Sequence, residues 1–250
     1  MPRRLRVSTG GVVYHVLNRA VGRSRLFRTD ADYLAFEKVL EQVHGRLPVR
    51  LLSYCLMPSH FHLVLWPRED GQLSEFMRLV TVTHTQRWHA YHRTAGTGPL
   101  YQGRFKSFPI QRDEHLLTVC RYVERNALRA RLVDRAQAWR WSSCWRRIHE
   151  PRTPWLTHRD RWPVEVSKDW TRWINTPQTD REEAAVRDSI IRGRPFGTPS
   201  WQQTTARKLR LESSLRPRGR PRMPKKDSRP ALSRPSVSAI LPGARFFRIE

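Results

Sequence analysis

The chain has 250 residues, of which 38% are hydrophobic, so one good-sized domain with a packed core and an appendage can form. Its 47 Lys and Arg against 22 Asp and Glu give a formal net charge of +25, which calls for a polyanionic partner: DNA, RNA or an anionic membrane surface. No apolar run approaches the ~20 residues of a membrane span, and no apolar signal core follows the basic start Met1–Arg6. A cytoplasmic protein with no membrane partner is expected. Cys55, Cys120 and Cys144 are scattered without a CxxC pair, which excludes a zinc finger and suits a reducing compartment.

In chain order, residues 12–17 are β-rich. Residues 30–44 place Tyr33, Leu34, Phe36, Val39, Leu40 and Val43 at helical spacing, with Asp30 as the candidate N-cap. Residues 49–57 and 61–66 read as strands joined by a Pro58–Ser59 turn, hence a hairpin. A helix over 73–92 follows, then a loop marked by Gly96, Gly98 and Pro99. A strand over 105–110 and a helix over 113–128, with Asp113 as N-cap, complete a β-α-β-β-α-β-α order. The expected fold is α+β: a ferredoxin-like split βαβ antiparallel sheet with helices on one face and the other free to grip nucleic acid. Residues 150–180 are rich in Trp, Pro and Arg with little periodicity, and 181–193 show one more helical pattern. Residues 216–236 are Arg/Pro-rich, and a tail disordered when free is expected there. Residues 201–250 carry +10 of the charge and residues 1–200 carry +15, so the folded part is basic by itself.

Two strings carry candidate chemistry. In the first, from Met57 to Trp66, His60 and His62 stand two apart on a strand. Alternation puts both imidazoles on one face, where they can share a metal ion. The plain alternative is a pair of ordinary sheet histidines. In the second, from Cys120 to Ala130, Tyr122 and Asn126 share one helical face. A tyrosine nucleophile needs its proton removed or its target polarised, because a free phenol titrates near ~10. A nearby metal can polarise a phosphate, and the Asn126 side-chain oxygen can supply a third ligand. The plain alternative is an amphipathic helix with a core tyrosine and a capping asparagine.

Together the strings resemble the HUH single-tyrosine transposases of small insertion sequences, and more closely the REP-associated tyrosine transposases. The resemblance runs through YHVLNRAVGRSRLF (residues 14–27), YCLMPSHFHLVL (54–65), GRFKSFPI (103–110), RYVERNALRARLV followed by WRWSS, and the Arg192–Arg222 segment. It implies a bacterial, nucleoid-associated enzyme that cleaves and rejoins single-stranded DNA at hairpins of repeated extragenic palindromes. Tyr122 would form a 5′-phosphotyrosine and free a 3′-hydroxyl, and rejoining would need no ATP. His60, His62 and Asn126 would hold a divalent metal. Two imidazoles alone suit zinc; the resemblance implies Mg²⁺ or Mn²⁺. Departures are Ser59 where relatives often carry Asn, and Ala127 where they often carry Pro after the asparagine. An alanine lets the helix run on past Asn126, which leaves the angle of that side chain open.

The implied organisation is a transposase domain over 1–145, a helical and irregular extension over 146–215 and a basic tail over 216–250. The resemblance leaves open a homodimer that exchanges helices or a monomer. Asn18 and Arg19, within the first matching segment, are candidate DNA contacts. Arg104 and Lys106 flank Phe105 on a strand, where two cations can meet phosphates and the ring can stack a base or enter the core. Arg218 and Arg220 form the Arg-Gly-Arg-Pro pattern of a minor-groove AT-hook, or a plain basic tail. His84, His89 and His92 are expected to face solvent or DNA, and His15 is given no role. Two other readings remain: a domesticated DNA-binding protein without catalysis, and an RNA binder, because the RRM shares this sheet topology.

Overall fold

A computed structural model describes residues 7–216; Arg218 and Arg220 of the AT-hook pattern, and all of the tail beyond Arg216, lie outside the described residues. Four strands form one antiparallel sheet in the order β2-β3-β1-β4: β1 (Val13–Arg19), β2 (Arg50–Met57), β3 (His60–Trp66) and β4 (Lys106–Ile110). With α1 (Asp30–Arg46) between β1 and β2, and α2 (Gln72–His92) between β3 and β4, this is the expected ferredoxin-like topology. The β2–β3 hairpin and the α+β class are as the sequence predicts.

Alternation along the strands builds two cores. Tyr14, Val16, Tyr54, Leu56, Phe61, Leu63 and Leu65 pack on one face against Phe36, Val39 and Leu40 of α1 and Phe76, Met77 and Val80 of α2. The helix α1 is capped by Thr29, not Asp30. Thr29 and Asp32 form a reciprocal capping box, which leaves Asp30 inside the first turn, where its charge complements the helix dipole.

The opposite face, expected to be free, is covered. The next helix, α3 (Glu114–Glu124), lays Leu116, Val119, Cys120 and Val123 over Val13, Cys55, Val64 and Phe108. Asp113 caps α3 as predicted, accepting from the His115 backbone N–H at 2.9 Å. A short continuation, α4 (Asn126–Arg129), follows with only Arg125 between. The covered face removes the surface on which an RRM-type module stacks bases.

The remaining chain forms α5 (Ser143–His149), α6 (Trp170–Asn175), α7 (Asp180–Arg192), α8 (Pro199–Lys208) and α9 (Glu212–Leu215). Position 145, the expected edge of the first domain, falls inside α5. Trp170, Ile174, Val186 and Phe196 belong to the second core. Residues through Arg216 accordingly form one compact unit, because the extension supplies the apolar surface that α3 needs on its outer side.

Candidate active site

The second sheet face carries the predicted residues. His60 and His62 project there with ring centroids 5.0 Å apart. The Nδ1 of His60 is engaged by the Ser59 hydroxyl at 3.2 Å, and the Nδ1 of His62 meets Nε2 of His15 at 2.8 Å. Among the described residues, each imidazole thus keeps Nε2 without a hydrogen-bond partner. His15 reaches His62 because the strand register sets His15 opposite Val64 and Leu17 opposite His62. Its ring stacks on Phe108 at 4.8 Å. Burial pushes His15 down to about 3, so it is neutral and its Nε2 can accept a hydrogen bond from His62 Nδ1–H. That tautomer leaves a lone pair on His62 Nε2, the form that ligates metals.

Across the gap, α3 presents Tyr122, whose ring lies 6.0 Å from that of His62 in an edge-on arrangement. The Arg129 guanidinium sits 4.0 Å from the Tyr122 ring centroid. Asn126 is buried at 4% exposure, and its amide Nδ2 has no hydrogen-bond partner among the described residues. Rotating the amide exchanges its oxygen and nitrogen, so this orphaned position suits a cation or a phosphate equally. The break at Arg125 does not swing Asn126 away: it keeps near-helical angles (φ −84°, ψ −3°), and the Arg129 N–H reaches the Arg125 carbonyl at 2.9 Å.

His60, His62, Tyr122 and Asn126 wall one cavity of about 700 Å³, and all four come from the same chain. The candidate DNA contacts Asn18, Arg19, Arg104 and Lys106 line it too, joined by Arg129 and by Arg187 of α7. No Asp or Glu lines it. The two neutral imidazoles and the orphaned amide fit a divalent cation whose remaining ligands are water and phosphate oxygens, as the cationic wall disfavours a bare ion. A second cluster, Asp113, Glu114 and His115, offers ligand atoms within 4.8 Å of one another. It lies roughly 10 Å up α3 from Tyr122, at ~1.5 Å per residue. Its Asp113 carboxylate already accepts from the His115 backbone and ring.

The tyrosine helix is anchored from behind. Arg121 donates to the carbonyls of Thr176 and Pro177 at 2.6 and 3.0 Å, and Arg125 to those of Ile174 and Asn175 at 3.3 and 2.8 Å. These carbonyls, at and just beyond the end of α6, include those that a helix leaves unpaired, so the cations satisfy them while fixing α3.

Other expectations change. Phe105 is buried in the first core at 7% exposure, so it offers no base-stacking face. His84 is also buried, bonded to the Tyr101 hydroxyl at 2.7 Å, and His92 pairs with Asp32 at 2.7 Å, so neither is a free surface group. Sequence reasoning passed over Arg129, although seven residues from Tyr122 is two helical turns and the same face.

Three buried histidines, His15, His62 and His84, and the partly buried His60 carry a consequence for stability. Burial pushes His15 and His84 down to about 3 and His60 to about 4; His62 falls well below its ordinary value from burial, then from His60 and His15. The unfolded chain therefore binds more protons wherever these groups are neutral in the fold. Their stabilisation is complete above about pH 6.5 and is lost as the pH falls from there through the folded values. Urea unfolding of the metal-free protein should show stability lower by about 2 kcal/mol or more at pH 5 than at pH 7.5. A flat profile would mean that these imidazoles are solvated.

A sheet that presents an H-x-H pair to a helix-borne tyrosine inside a cationic cavity has the form of a nucleic-acid-processing site. Residues 8–126, just under half of the chain, match the family model described as "Transposase IS200 like", so over those residues the chain is similar to that family. Its fold is similar to that of a REP-associated tyrosine transposase solved bound to a REP hairpin, with 19% identity, a TM-score of 0.50, and 63% of this chain and 91% of that one covered. A protein of Deinococcus radiodurans R1, given provisionally as a transposase, aligns at 16% identity over 49% of this chain and 96% of that one, with a TM-score of 0.36. No curated protein matches the chain. Among the described residues, no helix is long and apolar enough to cross a membrane.

Proposed function

We propose that this chain cleaves and rejoins single-stranded DNA beside a hairpin of the repeated extragenic palindrome type, through a covalent bond to Tyr122. The supporting observation is the meeting of Tyr122, the His60–His62 pair and the orphaned Asn126 amide in one cationic cavity. The Tyr122 oxygen attacks the scissile phosphorus and its proton passes to water. The bond to the 3′-oxygen breaks, and that oxygen takes up a proton. The products are a 5′-phosphotyrosine and a free 3′-hydroxyl, and the reverse attack by a 3′-hydroxyl reseals a strand. Arg129, over the Tyr122 ring, favours the developing phenolate. Arg19, Arg104 and Lys106 hold the flanking phosphates. Mg²⁺ or Mn²⁺, held by His60, His62 and Asn126, supplies Lewis-acid polarisation of the phosphate when bound.

The test uses the full chain with labelled single-stranded hairpins in Mg²⁺, Mn²⁺ or EDTA. An SDS-resistant adduct should form with either metal, vanish in EDTA, and map by mass spectrometry to the peptide containing Tyr122. Hairpin binding with no adduct under any condition would overturn the enzymatic reading and leave a DNA-binding protein.

A further inference from the structure

We propose that a second cationic groove, separate from the tyrosine cavity, binds the phosphate backbone of a DNA duplex. It is built where three parts of the chain meet: the end of α1 (His44), the outer ends of β2 and β3 (Arg50, Arg68), and the segment after α5 (Arg152, His158, Arg161). That segment is pinned to the edge strand by the Thr157 N–H, which donates to the Leu51 carbonyl at 2.9 Å. The groove encloses about 530 Å³ and shares no residue with the tyrosine cavity. Arg152, His158 and Arg161 also lie beyond the residues matched by the family model, so one wall of the groove is supplied by this chain's extension.

Its chemistry selects a phosphate ligand. No Asp or Glu lines it, and Arg50, Arg68, Arg152 and Arg161 form no ion pair among the described residues. The nearby Asp160 carboxylate is taken by His158 at 2.7 Å. Arg50 is half-buried and its Nε has no hydrogen-bond partner. Burial, and then the charges of Arg68 and Arg112, hold Arg50 below the ordinary arginine value. An incoming anion would relieve this repulsion.

Paired DNA fits better than unpaired bases. No Trp, Tyr or Phe lines the groove, and the ring beside Arg50, that of Trp66, is already covered by the Arg50 guanidinium at 3.3 Å from its centroid. There is no free platform for stacking, so only backbone charge can be recognised. Arg50 opposes Trp66 and Met57 opposes His60 across the β2–β3 pair. Four strand residues to His62 and six to His60, at ~3.3 Å each, put the groove about 13 to 20 Å from the histidine pair, or about four to six base pairs of duplex at ~3.4 Å each. A stem of that length or more, leading from the cleavage point, can touch both sites. The choice of DNA rests on the function proposed above; the phosphate chemistry does not.

The experiment measures binding by the full chain in EDTA, which blocks cleavage, across a salt series. The probes are a hairpin with a 12-base-pair stem, a hairpin with a 3-base-pair stem and the unpaired flank alone. The variant is Arg68→Ala/Arg152→Ala/Arg161→Ala, three exposed positions whose loss should leave the melting temperature unchanged. It should bind the long stem at least ten-fold more weakly at low salt, with the log–log salt slope shallower by about 2 to 3, and bind the flank as wild type does. The triple lysine replacement should restore the slope. A wild-type preference for the long stem that survives in the alanine variant, or an equal loss on all three probes, overturns the groove. If wild type shows no preference for a stem, the hairpin reading of the function falls and the groove with it.

Discussion

Tyr122→Phe should lower strand cleavage by at least a thousandfold and abolish the SDS-resistant adduct, while hairpin affinity stays within about twofold of wild type. The substitution removes one oxygen and nothing else. The Tyr122 hydroxyl makes no hydrogen bond among the described residues, and phenylalanine keeps the edge-on contact with His62 and the stacking of Arg129. The stability cost should therefore be under about 1 kcal/mol, far less than deletion of a buried side chain. Loss of activity would then report loss of the nucleophile and not of the fold. No other tyrosine can stand in. Tyr14, Tyr33, Tyr54 and Tyr101 lie in the first core, on the far side of the sheet, where burial raises their phenols; Tyr14, for one, is pushed up to about 12. Tyr91 is 68% exposed on α2, which packs on that same far side. Residual adduct in Tyr122→Phe would mean that the nucleophile lies outside the cavity.

The parts of this molecule legible in its sequence are those encoded over a few residues. The side-chain alternation of a strand puts His60 and His62 of HFHLVLW on one face, as the structure has them, although the strand is buried on both faces. Asp113 ahead of an amphipathic run gives the start of α3. The spacing of Tyr122 and Asn126 puts them on one helical face, and both reach the cavity. What the sequence does not reveal depends on pairing at long range. His15 meets His62 only because β1 and β3 pair in one register, and a shift by one residue would turn His15 to the other face. The covering of the second face needs α3 to fold back over the sheet and the extension to close over α3. Neither step leaves a periodic signal in residues 150–180, where Trp155 and Trp162 lie in irregular chain and Trp170 and Trp173 share a helix of only six residues, too short to show a stripe. The helix α8 goes unpredicted because its PSWQQTTARK run buries only Ala206, too little for an apolar stripe.

The second large effect is expected at Glu124, a residue that touches no part of the proposed chemistry. It is fully buried on α3, two residues from Tyr122. One carboxylate oxygen accepts from Ser143 Oγ at 2.6 Å and Arg147 Nη1 at 2.9 Å; the other accepts from Trp170 Nε1 at 2.7 Å and lies 3.5 Å from Arg159. A single carboxylate thus ties α3 to α5 and α6. Removing it leaves the Arg147 guanidinium without its counter-charge and the buried Trp170 indole N–H without an acceptor, while the Ser143 hydroxyl falls back on the Tyr54 carbonyl at 3.2 Å. Breaking a buried ion pair from one side costs about 3 to 5 kcal/mol. Glu124→Ala should lose that much in urea unfolding, a fall of roughly 10 °C in melting temperature for a chain of this size. Glu124→Gln keeps an acceptor for Ser143 or Trp170 but no charge for Arg147, and should fall between alanine and wild type. At a temperature where both variants remain folded, each should still form the Tyr122 adduct, because Arg121 and Arg125 continue to hold the helix against the carbonyls after α6. A Glu124→Gln protein as stable as wild type yet unable to form the adduct would contradict this division, and would place the carboxylate in the proton path of the tyrosine.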